Sequence, residues 1–183
     1  TLWASIIPVL IIYLTLGIYP IQISGIRDIK VYVIAIVTIV ITTVTITRKK
    51  TTIHKNGKEI LLYGLDGLMM EIPQRLMMQS FVYGVLKGLG VSSLNYYTII
   101  ATAFIWCIGI VMQAMMFKKQ FDQDMIFDIL SSFLFSLGIG YVYQKTGLII
   151  LSMVAHFCER VFSCYISSKY RMHDKNDQIS VIV

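Results

Sequence analysis

The sequence predicts an all-α protein, a polytopic transmembrane helical bundle with about six spans. Hydrophobic residues make up 56% of its 183 residues and charged residues only 14%, a balance that is too apolar for a soluble domain. The apolar residues are gathered into long runs, and about 20 apolar residues suffice to cross the hydrocarbon core of a bilayer. No soluble domain interrupts the runs, so residues 1–183 are interpreted as a single membrane domain.

The apolar runs define the predicted helices in chain order. The second run is rich in Val, Ile and Thr, which in water would favour a β-strand. An open strand in lipid would leave its backbone hydrogen-bonding groups unpaired, so a helix is expected there too. The predicted spans are Leu2–Ile23, Val31–Ile46, Ile60–Leu86, Tyr96–Phe117, Met125–Tyr143 and Leu148–Tyr165. Residues 166–183, which follow the last span, are predicted to form a cytoplasmic tail.

The distribution of Lys and Arg predicts the orientation of these spans. If the N-terminus is cytoplasmic, the cytoplasmic connections and tail hold ten of these residues and the opposite side holds four. Lys and Arg are enriched in cytoplasmic loops, so both termini are predicted to be cytoplasmic. The net charge of +6 then reflects topology and attraction to anionic lipid, and the lipid bilayer is an expected partner. Nucleic acid is not, because no aromatic platform accompanies the basic residues at 48–58.

The third run carries an acid and a base at membrane depth. Glu71 and Arg75 lie four residues apart on one helix face, with Pro73 between them. A charge at the bilayer centre costs about 2.5–3.5 kcal/mol on insertion scales, so the pair must face other helices or a wet cavity. Gly64 and Gly67 share this face and would let a neighbouring helix approach closely. Proline has no N–H, so a kink or a free carbonyl is expected one turn before it.

Two more apolar runs carry a polar face. The polar face of the last run contains His156, and the polar face of the fifth run is expected to serve helix packing. Counting about 1.5 Å per residue from the run ends places Glu71 and His156 both about 15 Å from the cytoplasmic side. The two side chains are therefore predicted to line one cavity between the third and sixth spans, within roughly 10 Å of each other. The polar residues of the last run are Ser152, His156, Glu159, Arg160 and Ser163. Those of the fifth run are Asp128, Ser132 and Ser136, with Gly140 on the same face.

These residues resemble the motifs of the CAAX-protease and bacteriocin-processing family of intramembrane endopeptidases. That family carries Glu-Glu-x-x-x-Arg on one helix, then Phe-x-x-x-His, and finally His-x-x-x-Asn or His-x-x-x-Asp on a late helix. Residues 70–75, Met-Glu-Ile-Pro-Gln-Arg, align with the first motif. The Tyr-Gln-Lys-Thr-Gly turn, which ends nine residues before His156, is similar to the approach to the third motif. The family-like part covers about residues 60–165.

The resemblance implies an activity, a site and a location. It implies an intramembrane endopeptidase of the CAAX or peptide- and bacteriocin-processing type, acting on a membrane-associated peptide or protein in the bacterial plasma membrane. The candidate catalytic residues are then Glu71, Arg75 and His156. No cofactor is evident from the residues themselves. Family analogy implies a divalent metal such as zinc, for which Glu71 and His156 are the candidate ligands, although a catalytic zinc normally takes three protein ligands.

Three positions depart from the family pattern and keep several functions open. Met70 replaces the glutamate that is thought to activate the attacking water, Ile108 falls where the middle histidine is expected, and Arg160 replaces the final Asn or Asp. The chain is therefore either an active endopeptidase or a catalytically silent relative, which confers bacteriocin immunity or binds a partner as a membrane regulator. A third hypothesis is a small transporter with Glu71 and His156 as a proton relay, but no repeated halves support it.

Overall fold

The computed structural model describes residues 27–49 and 56–180, with side chains as far as residue 169, and this part of the chain contains no β-strand. The predicted first span, Leu2–Ile23, lies outside the described residues. The elements are, in chain order, α1 (Ile29–Thr47), α2 (Gly57–Glu71), a π-helical segment (Ile72–Gln79), α3 (Ser80–Gly88), α4 (Leu94–Met116), α5 (Gln123–Thr146) and α6 (Ile149–Ser180). The predicted cytoplasmic tail begins within α6, whose backbone stays helical to Ser180.

The prediction of an all-α transmembrane bundle is confirmed. Among the described residues, four helices are long and apolar enough to cross a membrane, namely α1, α4, α5 and the Ile149–Lys169 part of α6. They match the second, fourth, fifth and sixth predicted spans. The predicted number of about six is not reached in this part of the chain, because one predicted span is undescribed and another, the third, is interrupted.

The third predicted span is not a continuous α-helix. After α2 the chain makes eight residues of π-helix before the α-helical pattern returns in α3. Pro73, which has no N–H to donate, lies at the start of this π-helical segment. The carbonyl expected to be free, that of Met69, accepts a hydrogen bond from the N–H of Ile72 instead. A π-helix turns the chain less per residue than an α-helix and so redirects the side chains that follow. The buried ones are Gln74, Arg75 and Gln79.

Polar caps and a glycine define several helix ends. The side chain of Asn56 accepts from the N–H of Glu59, whose carboxylate accepts from the N–H of Asn56, and this capping box begins α2. Asp122 caps α5 by accepting from the N–H of Met125. Helix α5 ends at Gly147, which has a φ of 66° and so permits the tight turn into α6. Only residues 147 and 148 separate α5 from α6, and the two helices are in contact.

Small residues let the helices approach closely at two crossings. A Cβ atom added at Gly64 of α2 would lie 2.8 Å from Phe157 and from Val161 of α6. A Cβ atom at Gly138 of α5 would overlap the side chain of Thr38 on α1. The predicted role of Gly64 in close helix packing is confirmed. Helix α2 accordingly packs mainly on α6, and α1 packs on α5 and α6.

The apolar core and the polar interior occupy different parts of the bundle. The core lies where α1, α5 and α6 meet, and its buried residues are Val31, Ala35, Phe135, Ile139, Val142 and Ala155. Many other large apolar side chains, such as Val33, Ile36, Phe104 and Ile108, lie on the outer surface, where lipid would solvate them. Charged and amide side chains are instead buried where the π-helical segment meets α5 and α6. The interior polar groups therefore mark a site distinct from the apolar core.

Candidate functional site

The site is centred on the carboxylate of Glu71, the last residue of α2, which is fully buried. Its Oε1 atom lies 2.6 Å from Nδ1 of His156 on α6. Its Oε2 atom accepts a hydrogen bond of 3.0 Å from Nε of Arg75. The predicted proximity of Glu71 and His156 is confirmed, and the three candidate catalytic residues of the sequence meet around one carboxylate. Their predicted catalytic roles stay predictions.

Arg75 connects the π-helical segment to α5. Its Nη1 atom donates to Oε1 of Gln79 at 3.1 Å and to both the carbonyl and the hydroxyl of Ser136 at 3.3 Å. Arg75 is fully buried, and its Nη2 atom makes no hydrogen bond within the described residues. The charge of this guanidinium is balanced by Glu71, with which it forms an ion pair whose side chains are both 0% exposed.

Two glutamines extend this network, and the sequence interpretation missed both of them. Gln74 donates to the hydroxyl of Ser136 at 3.1 Å. Gln79 donates to the carbonyl of Gly140 and to the side chain of Gln144, each at 3.0 Å. The face of α5 that was predicted to serve packing is therefore also a row of hydrogen-bond acceptors. Amide side chains within an apolar run were the signal that could have revealed them, because a buried amide must find partners.

His156 has contacts at both ring nitrogens. Its Nε2 atom accepts a hydrogen bond of 3.3 Å from Nε of Arg160, one turn further along α6. Since an arginine N–H can only donate, Nε2 carries no proton in this arrangement. In the neutral imidazole the proton then lies on Nδ1, which donates it to Glu71. The ring of Phe135 packs beside the imidazole, with centroids 4.5 Å apart.

Arg160 lies at the rim of the site, with its side chain 17% exposed. Its Nη1 atom is 3.3 Å from a carboxylate oxygen of Asp66, and its Nη2 atom is 3.1 Å from the sulfur of Met70. The guanidinium lies 4.4 Å from the ring centre of Tyr63. Gly67 makes room for it, because a Cβ atom there would lie 2.8 Å from Cδ of Arg160. Sequence inspection placed Arg160 on the polar face of the last run and among the departures from the family motif, and it did not identify Asp66 as part of the site.

The polar network continues to the opposite end of the bundle. Gln144, near the end of α5, donates to the side chain of Asn95 at the start of α4, at 3.1 Å. A cavity of about 40 Å³ lies beside these two residues. Its lining is formed by Asn95, Tyr96, Ile99, Tyr141, Gln144 and Lys145. Hydrogen bonds thus link side chains from Asp66 on α2 to Asn95 at the start of α4.

The residues of the site do not fit a divalent metal. Within the part of the chain that the structure describes, no three His, Cys, Asp or Glu side chains are close enough together to hold one ion. Both oxygens of Glu71 already bond to Arg75 and His156. The guanidinium of Arg160 occupies the other nitrogen of His156, so a dication would meet positive charge on two sides. Glu71 and His156 therefore do not form the three-ligand site that catalytic zinc requires.

The apolar helices and their buried polar cluster define a multi-pass membrane protein with an intramembrane polar site. The family model described as type II CAAX prenyl endopeptidase Rce1-like matches residues 57–162, which is more than half of the chain. The chain therefore belongs to this Rce1-like family, and the resemblance found in the sequence is confirmed. The matched region begins with α2 and contains every residue of the hydrogen-bonded network described above, from Asp66 to Arg160 in chain order. No curated protein and no solved structure matches the chain.

Proposed function

We propose that this chain is a catalytically silent member of its family, which binds a membrane-associated peptide or protein and does not hydrolyse it. The observation that carries the proposal is the burial and hydrogen bonding of the Glu71 carboxylate. This carboxylate is 0% exposed, and each of its oxygens has a protein partner, Arg75 at 3.0 Å and His156 at 2.6 Å. A carboxylate held in this way serves to join helices.

General-base catalysis needs an accessible lone pair close to the proton that is removed. At His156 the lone pair that faces away from Glu71, that of Nε2, accepts a hydrogen bond from Arg160. At position 70 the side chain is a thioether, which cannot take a proton from water and instead accepts from Arg160. A water molecule could be activated at Nε2 of His156 only after the guanidinium of Arg160 gave up its hydrogen bond to that atom.

The partner would bind to the chain within the bilayer or at its surface. The exposed apolar side chains of the helices contact lipid, so a partner that reaches the polar cluster must itself be membrane-associated. Bacteriocin immunity and regulation of a partner membrane protein are two uses consistent with such binding. The Lys and Arg distribution supports an orientation with both termini in the cytoplasm.

Hydrolysis is the second candidate function, and the contact between Glu71 and His156 is the observation that favours it. A carboxylate 2.6 Å from a histidine nitrogen can orient the ring and stabilise its protonated form. If Arg160 moved away, Nε2 of His156 could take a proton from a water molecule as the water oxygen attacks a peptide carbonyl. The imidazolium would then return the proton to the leaving amine.

A peptide cleavage assay distinguishes the silent function from the hydrolytic one. The chain and a His156→Gln variant would be reconstituted in lipid nanodiscs with membrane-associated candidate peptides carrying a photo-crosslinker. We expect crosslinks to intact peptide and no cleavage products from either protein, read by mass spectrometry. The proposal is overturned if the unmodified chain releases products and His156→Gln, present in equal folded amount, does not.

A further inference from the structure

We propose that the guanidinium of Arg160 is a receptor for a carboxylate group carried by the peptide that the chain binds. The inference rests on the proposed function only in taking the partner to be a peptide, and it does not depend on whether the peptide is cleaved. It assigns a ligand-binding role to a residue that the sequence analysis placed on a polar helix face and among the departures from a motif.

The partners of Arg160 are weak or exchangeable. The thioether of Met70, 3.1 Å from Nη2, is a poor hydrogen-bond acceptor. Asp66, 3.3 Å from Nη1, has a side chain that is 65% exposed, and ion pairs with such exposure contribute little to stability. A guanidinium presents its N–H groups as a rigid fork that matches the two oxygens of a carboxylate. A ligand carboxylate could therefore replace Asp66 and also satisfy the N–H that now faces sulfur.

The guanidinium is held ready for such a ligand. Nε is anchored to the ring of His156 at 3.3 Å, and the ring centre of Tyr63 lies 4.4 Å from the guanidinium carbon. The aliphatic stem of Arg160 lies against Gly67, where any side chain would crowd it. A group that is positioned in advance loses less conformational entropy when it binds, which favours affinity.

The surroundings indicate an apolar peptide as the carrier of the carboxylate. Leu62 lies one helical turn before Asp66 on the same face of α2 and is 55% exposed. Leu65, beside Asp66 in the chain, is 43% exposed. An apolar side chain next to the ligand carboxylate would pack on these leucines while the carboxylate reached Arg160. The carboxylate itself could be a chain terminus or the side chain of an acidic residue.

Three tripeptides separate these sources when their dissociation constants are measured with the full-length chain in nanodiscs. The probes are N-acetyl-trileucine with a free carboxylate, the same peptide as its C-terminal amide, and an amide in which the last residue is glutamate. We expect at least one carboxylate probe to bind about tenfold more tightly than the trileucine amide, and the tighter one identifies the source. Equal dissociation constants for all three probes would overturn the proposal.

Variants connect the preference to Arg160. Arg160→Met should remove the preference for carboxylate. Asp66→Asn, at a position where the side chain is 65% exposed, should strengthen carboxylate binding several-fold because an internal competitor is lost. Asp128→Asn is the matched control, since it removes another partly exposed ion pair, to Lys49 at 2.8 Å, and should change nothing. A preference that persists in Arg160→Met, or is unchanged in Asp66→Asn, would overturn the proposal. Cleavage of a probe would overturn the silent function and leave the receptor intact.

Discussion

Two arginines of one hydrogen-bonded network have very different surroundings. Arg75 is fully buried, pairs with the buried carboxylate of Glu71 and donates to groups on α5 and to Gln79. Arg160 lies at the rim, where one partner is an exposed carboxylate and another is a sulfur atom. A buried charge paired with a buried carboxylate holds helices together, and a partly exposed charge with weak partners can exchange them. The comparison favours an architectural role for Arg75 and supports the binding role proposed for Arg160.

The largest expected effect comes from breaking the buried pair. Glu71→Gln or Arg75→Met alone should destabilise the folded protein by about 3–5 kcal/mol, because each leaves a buried charge without its partner. The double variant should recover much of this loss. The amount of folded protein in the membrane and the unfolding midpoint in detergent measure both outcomes. Normal abundance of Glu71→Gln, together with loss of a detectable peptide cleavage, would show instead that Glu71 is a catalytic base.

A smaller effect is expected from a substitution that crowds the guanidinium of Arg75 without changing any charge. A Cβ atom at Gly140 of α5 would lie 3.1 Å from Nη1 of Arg75 and 3.3 Å from Ile99, so Gly140→Ala should destabilise by about 1–3 kcal/mol. Gly84→Ala on α3 is the control, because nothing lies within 4 Å of an added Cβ and alanine favours a helix. Equal unfolding midpoints for the two variants would mean that the network around Arg75 is not rigid.

The smallest effect on stability is expected at the rim. Arg160→Met should destabilise by at most about 2 kcal/mol, since a partly exposed ion pair and a contact with an aromatic ring are each worth about 1 kcal/mol or less. The same measurement that finds a large loss for Arg75→Met should therefore find a smaller change here. If the two substitutions lowered the unfolding midpoint equally, the division between an architectural and a binding arginine would fail.

Much of the fold and part of the site could be predicted from the chain alone. Runs of apolar residues identify membrane helices because the bilayer demands length and internal hydrogen bonding, which are both properties of a single segment. The i, i+4 spacing of Glu71 and Arg75 predicts their pairing for the same reason. The meeting of Glu71 with His156 followed from depth, since two charged or polar groups at the same level in lipid have few other partners.

The contacts that decide function depend on how two helices are rotated against each other. Arg160 meets Asp66 across 94 positions of the chain, and Gln79 meets Gly140 across 61. Neither spacing carries a periodic signal, and the π-helical segment that turns Gln74 and Gln79 inward is not encoded by hydrophobic pattern alone. The occupation of both ring nitrogens of His156 is likewise a tertiary property.

The sequence by itself therefore determined the class of protein, the intramembrane acid and base, and the family, because each depends on composition, local spacing or motif order. Only the tertiary structure decided that Glu71 has no exposed oxygen and that its partners leave no room for a metal. It also decided that Arg160 sits at the rim with partners it can exchange. The physical reason is that burial and hydrogen-bond saturation arise where separate helices meet, and no single segment contains them.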